Sequence, residues 1–190
     1  MNKTTETTHA VNALIKQRWS PRSFSEQTIS NDALATLFEA ASWAASSLNE
    51  QPWKYIYAHR GTDGFERLAD CLMDGNKVWA QDGAVLMLSL AKKRFDRNGK
   101  VNRHAMHDTG AANTTLLLQA AGDGILGHMM GGFHFDKTLE MFNIDADQWE
   151  PACFMVLGYV ADPSQLEEPF RTRETAERER NPIASFTEHT

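Results

Sequence analysis

Two short stretches of the sequence gather side chains suited to binding. The first, RWSPRSF (residues 18–24), sets Arg18 and Arg22 four positions apart, with Ser20 between them, Ser23 just after and Pro21 blocking easy helix continuation. Guanidinium forks hold phosphate oxygens in bidentate fashion, so arginines with neighbouring hydroxyls suit a phosphate; the alternative is a surface loop with solvated arginines. The second, AASSLNEQPW (44–53), clusters Ser46, Ser47, Asn49 and Gln51 where a helix ends, beside Pro52 and Trp53. Hydroxyls and amides in a row supply donors and acceptors for the edge of a planar polar ring, against the plainer reading of a helix C-terminal turn.

Other candidate motifs carry less. GDGILG (122–127) matches the spacing of a dinucleotide fingerprint, with Asp145 about twenty residues on, but the fingerprint needs a strand before it and a helix after it. Here a helical stretch, NTTLLLQAA, precedes and HMMGGF follows, so a helix C-cap and turn is expected. RHAMHD offers His104, His107 and Asp108 on one helical face without a third histidine or a glutamate, which reads as a solvated or pocket-lining helix start and not as a metal site. No nucleophile-elbow signature occurs, and neither Cys71 nor Cys153 has a basic neighbour in sequence to lower its pKa.

The elements that must position these residues are read from periodicity. HAVNALIKQR (9–18) carries Val11, Leu14, Ile15 and Arg18 at helical spacing and delivers the first motif, stopping at Pro21. Ser30 caps a second helix with an apolar stripe of Leu34, Leu37, Phe38 and Ala41. WKYIYAHR (53–60) alternates as a strand, 62–74 reads as an amphipathic helix and DGNKVWAQDG (74–83) as a loop. Apolar runs at 84–91 and 152–160 predict two buried strands, separated by a long helix from about Arg103 to Ala121 and a glycine-rich loop or short strand. From Ala161 the chain is polar, with three prolines, and is expected to wrap over a body or a partner; RTRETAERER within it has the composition of a solvated arm. The class is α+β, one domain of 190 residues with helices around a small sheet.

At 42% hydrophobic and 23% charged the composition is globular, and a net charge of −6 excludes a broad nucleic-acid footprint, so an anion site must be local. Two distant cysteines make no disulfide framework or zinc ribbon, the polar MNKTTETTHA lacks a signal-peptide core, and no apolar run is long enough to span a bilayer. A cytoplasmic protein that binds neither nucleic acid nor membrane is expected.

Taken together, the segments resemble the nitroreductase family of FMN-dependent oxidoreductases. Arg18, Ser20, Arg22 and Phe24 match its opening Arg-x-Ser-x-Arg/Lys-x-Phe, and Ser46, Ser47, Asn49, Gln51, Pro52 and Trp53 match its Ser-Ser-x-Asn-x-Gln-Pro-Trp. The likeness continues in order through AVLMLSLAK, DTGAANTTLLLQAAGDGILG, GGF and GYVADP, with arginines in the tail, and so covers nearly the whole chain.

The resemblance implies a homodimer around a four- to five-stranded sheet, FMN at the subunit interface, and a C-terminal arm (161–190) crossing to the partner; residues 1–9 would be a flexible N-terminus. It implies that Arg18, Trp19 and Ser20 hold the FMN phosphate and ribityl chain, joined by Arg171 or Arg173. Arg22 and Asn76 would face the pyrimidine edge, Ser46, Ser47 and Asn49 would come from the other subunit, and the backbone at Met130, Gly131 and Gly132 would pass the ring. NADH or NADPH would deliver hydride to the flavin and a nitroaromatic, quinone or enone would collect it by a ping-pong mechanism, with no catalytic residue of the protein's own and no metal. Rival readings keep the FMN: a storage or redox-sensing module without turnover, or a specialised chemistry such as reductive dehalogenation or flavin fragmentation. Three positions depart from the family pattern: Ala45 where a proline precedes the serines, Trp79 where many members have a lysine, and Gly131 in place of an acidic residue.

Overall fold

Short polar side chains open the first helices, each standing before an apolar run and accepting from an otherwise unpaired backbone N–H. In the computed structural model, which describes residues 3–190, Asn12 accepts from the Leu14 N–H at the head of α1 (Ala13–Gln17), and Ser30 from Ala33 at the head of α2 (Asn31–Ser42). A single 3₁₀ turn at Ser47–Asn49 leads to β1 (Trp53–His59), and Thr62 caps α3 (Asp63–Asp70). Then follow α4 (Asp74–Ala80), β2 (Val85–Lys92), α5 (Ala105–Gly122), β3 (Leu126–Met130), α6 (Phe135–Met141), β4 (Trp149–Gly158) and α7 (Phe170–Thr175).

The four strands form one antiparallel sheet in the order β1-β2-β4-β3. Both faces are covered, which is why β2 and β4 read as continuous apolar runs. Leu86, Leu88, Leu90, Phe154 and Val156 pack on one side with Phe65, Leu68 and Trp79; Val85, Met87, Met155 and Leu157 pack on the other with Leu34, Leu37, Leu116 and Leu117. The α+β class and the small helix-covered antiparallel sheet expected from the sequence are thus the observed architecture.

Several elements differ in detail. Helix α1 spans only Ala13–Gln17, because Arg18 already adopts extended backbone (φ −62°, ψ 122°) ahead of Pro21. The segment 74–83, read as a loop, contains α4: Trp79 and Ala80 are buried, and the Met73 N–H donates to Gly132 O at 3.1 Å, so tertiary docking overrides the poor helix propensity of Gly75 and Asn76. Helix α6 had no counterpart in the sequence reading. At GDGILG the chain runs from helix to strand, with Asp123 capping α5 and Gly124 in the left-handed region (φ 74°) before β3. That is the C-cap turn and not a strand-to-helix phosphate loop.

The polar ends lie on the opening motif. Ser25 N–H donates to Tyr159 O (2.8 Å), Ala161 N–H to Ser23 O (3.0 Å) and Ser23 Oγ to Asp162 O (2.8 Å), so the chain after β4 zips against RWSPRSF of the same chain. Of the N-terminal segment 1–9, Met1 and Asn2 lie outside the described residues, while the Lys3 ammonium donates to Glu174 O at 2.6 Å. Residues 181–190 are exposed throughout.

Candidate functional site

Where α1 stops, Arg18, Trp19 and Ser20 form one wall of a cavity of about 250 Å³, and the tail supplies the other wall through Arg173, Arg178 and Arg180. Lys3 and Glu177 complete the charged lining, so five cations face one carboxylate. Burial, with Arg180 nearby, pulls Arg18 below the ordinary arginine value, and burial with Arg18 and Arg180 does the same to Arg178. Both guanidiniums nevertheless stay charged. Arg178 spends its donors on carbonyls, Nη1 on Lys3 O (2.9 Å) and Lys16 O (2.7 Å) and Nη2 on Arg18 O (2.9 Å), so it frames the cavity. Arg18 Nη1 reaches Ser20 Oγ at only 3.5 Å, and among the described residues neither Arg173 nor Arg180 meets a carboxylate. Positive charge gathered in excess of its one counter-charge favours an anionic ligand.

Four residues further along the loop the surroundings change. The Glu174 carboxylate, 1% exposed, accepts from the backbone N–H of Arg22 with both oxygens (3.0 Å each) and from that of Ser23 (3.2 Å), and lies 4.0 Å from the Arg22 guanidinium. Arg22 sits over the Trp79 ring at 5.6 Å, and Trp79 lies against the His128 ring with centroids 4.7 Å apart. His128 Nδ1 is 3.0 Å from Pro21 O, so it carries the proton there and donates. Burial pushes its pKa down to about 4, leaving it neutral at pH 7. On the same helix as Trp79, Asn76 donates through Nδ2 to Gly132 O (3.0 Å) and keeps Oδ1 without a partner among the described residues. A Cβ at Gly132 would lie 2.7 Å from Asn76 Nδ2, so a side chain there would break this contact.

The serine-rich segment stands apart. The Ser47 N–H donates to Asp108 Oδ2 (2.8 Å), and Ser46 Oγ accepts from the Gln51 N–H (3.0 Å). Leu48, Asn49 and Gln51 all take positive φ (57°, 57° and 51°), a conformation unfavourable for non-glycine residues that turns this segment sharply. Asp108, 3% exposed and paired with His107 at 2.9 Å, is therefore the anchor of this turn.

The fold thus brings Arg18, Trp19, Ser20 and Arg173 to one cavity, and Arg22, Asn76 and Gly132 to the junction around α4. No hydrogen bond, ion pair or ring contact among the described residues links Ser46, Ser47 or Asn49 to either group. Arg171 is half exposed and pairs with Glu168 at 2.9 Å, away from the cavity. The Met130 side chain is buried in the core and Gly131 is exposed, so only backbone is on offer at these two positions. Reading by motif missed Lys3, Arg178, Arg180, Glu174 and His128. The arginines of RTRETAERER were in view as charge, but nothing local separates those that turn inward from Arg171; the buried glutamate and histidine carry no sequence signal.

The model of the Nitroreductase family matches residues 15–87 and 72–159. A crystal structure described as the oxidoreductase containing FMN is 29% identical and superimposes with a TM-score of 0.91 over 98% of this chain and 95% of its own. A structure from Exiguobacterium sibiricum 255-15, solved in complex with FMN, is 21% identical with a TM-score of 0.77, covering 98% of this chain and 100% of its own. YdgI of Bacillus subtilis strain 168, provisionally named an NAD(P)H nitroreductase, is 22% identical over 184 residues, covering 78% of this chain and 88% of YdgI.

Proposed function

The chain belongs to the nitroreductase family, and on that premise we propose that it is an FMN-dependent oxidoreductase that passes hydride from NADH or NADPH to a small acceptor such as a nitroaromatic, quinone or enone. The observation that carries the reading is the cavity with five cations and one carboxylate, roomy enough for a phosphate group and beside a loop that continues into a polar, glycine-lined junction.

The residues present fit FMN. Arg18, Ser20, Arg173 and Arg180 would hold its phosphate, while Arg178 spends its donors on backbone carbonyls and keeps the cavity open. The partnerless Asn76 Oδ1 suits a ring N–H, the Arg22 guanidinium suits the electron-rich edge of the ring, and Gly132 leaves room for the ring to approach backbone. FMN, when bound, supplies the hydride acceptance and donation that no side chain can; the protein binds, orients and tunes it. Ser46, Ser47 and Asn49 would complete the site from a second copy of the chain, which makes the homodimer part of this reading and leaves the exposed residues 181–190 as an arm for the partner. No helix among the described residues is long and apolar enough to cross a membrane.

The test is an anaerobic titration. A yellow preparation that NADH or NADPH bleaches and an added quinone or nitroaromatic recolours supports the reductase, with the released cofactor running as FMN on chromatography. Colour that neither nucleotide bleaches identifies a storage or sensing module; a colourless protein that does not bind added FMN overturns the reading.

A further inference from the structure

The Arg22 guanidinium is held in an unusual way. Its side chain is 23% exposed, and the one carboxylate near it, Glu174, already serves three contacts from backbone N–H groups and approaches the guanidinium only to 4.0 Å. A bidentate ion pair therefore does not fix its direction. What lies against it is the Trp79 ring, buried to 2% and itself pinned by Nε1 donating to Gly75 O at 2.9 Å. Behind Trp79 comes His128 on β3, and His128 grips the carbonyl of Pro21, the residue before Arg22. The contacts close a ring that runs from Pro21 to Arg22, to Trp79, to His128 and back to Pro21. Four residues from three separate parts of the chain lock one another, and the only charge in the ring is the guanidinium. Because His128 is neutral at pH 7, nothing within the ring repels that charge.

We propose that Trp79 and His128 are positioning residues for Arg22, holding its guanidinium by ring contact so that a single fixed positive charge acts on the reducible ring bound beside it. The inference rests on the FMN reading for what the charge acts on, but the positioning itself is a property of the chain. A tryptophan face attracts a guanidinium without neutralising it, which a carboxylate would do. A fixed charge favours the reduced, more electron-rich cofactor over the oxidised one; a mobile, solvated charge does so less.

Two readouts on the full chain separate the parts. In nitrogen-15 spectra, the Arg22 Nε–Hε proton is expected to be displaced upfield by the Trp79 ring current, to keep much of that displacement in W79F and to lose it in W79L. With FMN bound, the preference for reduced over oxidised cofactor, read from the midpoint potential, is expected to fall about tenfold in R22Q, or about 30 mV for a two-electron couple. W79L should lose about three- to fivefold, W79F less than twofold, and W79L/R22Q no more than R22Q alone. An undisplaced Arg22 resonance in the unaltered protein overturns the positioning, whatever the cofactor. Losses that add in the double variant overturn the claim that Trp79 acts through Arg22. W79F guards the result should W79L fail to fold. A chain that binds no FMN overturns the functional reading, and the Arg22 resonance still decides the positioning.

Discussion

At one end of the RWSPRSF loop, five cations share a cavity with a single carboxylate; four residues on, one guanidinium lies against a buried tryptophan and shares a buried glutamate with the backbone. The first region is built from long, partly exposed side chains contributed by both ends of the chain. The second is built from ring packing and backbone hydrogen bonds. Like charges in excess gain most from an arriving anion, so on the FMN reading the cavity would govern how tightly the phosphate is held. A packed guanidinium whose counter-charge is shared with the backbone would change little in affinity and much in the field at its neighbour. On that reading, grip and tuning would be separated along four residues of chain.

The largest expected effect falls on the residue that joins the two regions. Glu174→Ala leaves three N–H contacts unmet and removes the counter-charge of Arg22, and should cost about 3–5 kcal/mol of stability in urea unfolding. A loss under about 1 kcal/mol would show that the loop holds its shape without it. Next comes acid sensitivity at the junction. His128 takes a proton near pH 6.5 in the unfolded chain but only near 4 in the folded one. Stability conferred by keeping it neutral is therefore undiminished above pH 6.5 and is lost as pH falls towards 4, by about 3 kcal/mol at most. His128→Phe should be flatter over this window; equal pH slopes would mean that other groups dominate.

For the cavity, Arg18→Ala should weaken FMN by about one to two decades, the worth of one charge-assisted contact at roughly 1.5–3 kcal/mol, and turnover should return at saturating FMN. Turnover that stays low with FMN saturating would place Arg18 at the ring and reverse the comparison. The smallest effect distinguishes the tail arginines. Arg171→Ala removes a half-exposed pair with Glu168 and should change stability by less than about 1 kcal/mol and FMN affinity by less than about twofold, whereas Arg173→Ala should weaken FMN.

Much of this was legible before any coordinates. The apolar runs at 84–91 and 152–160, the Ser30 cap with its Leu34–Leu37–Ala41 stripe and the long helix expected from about Arg103 to Ala121 and observed over Ala105–Gly122 are local patterns whose burial follows from periodicity. The arginine–serine opening was legible as chemistry because residue types, not distances, define it. Helix α4 was not, since Gly75 and Asn76 argue against a helix and only docking of Met73 and Trp79 makes one. The partners of Arg22 were invisible for a related reason: His128 and Glu174 come from distant segments and each alone reads as ordinary core or surface, while Trp79 stood out only as a departure from the family pattern and not as a contact of Arg22.

The carbonyls that Arg178 holds belong to Lys3, Lys16 and Arg18, so the cavity is enclosed only where the last stretch of the chain meets the first. During synthesis, the opening motif leaves the ribosome long before the arginines that complete it. The sheet and both apolar layers are built from buried residues between 24 and 166 and do not include the arginines of the tail. On the FMN reading, cofactor capture therefore waits on the last stretch of the chain, and a chain truncated before Arg173 should be colourless.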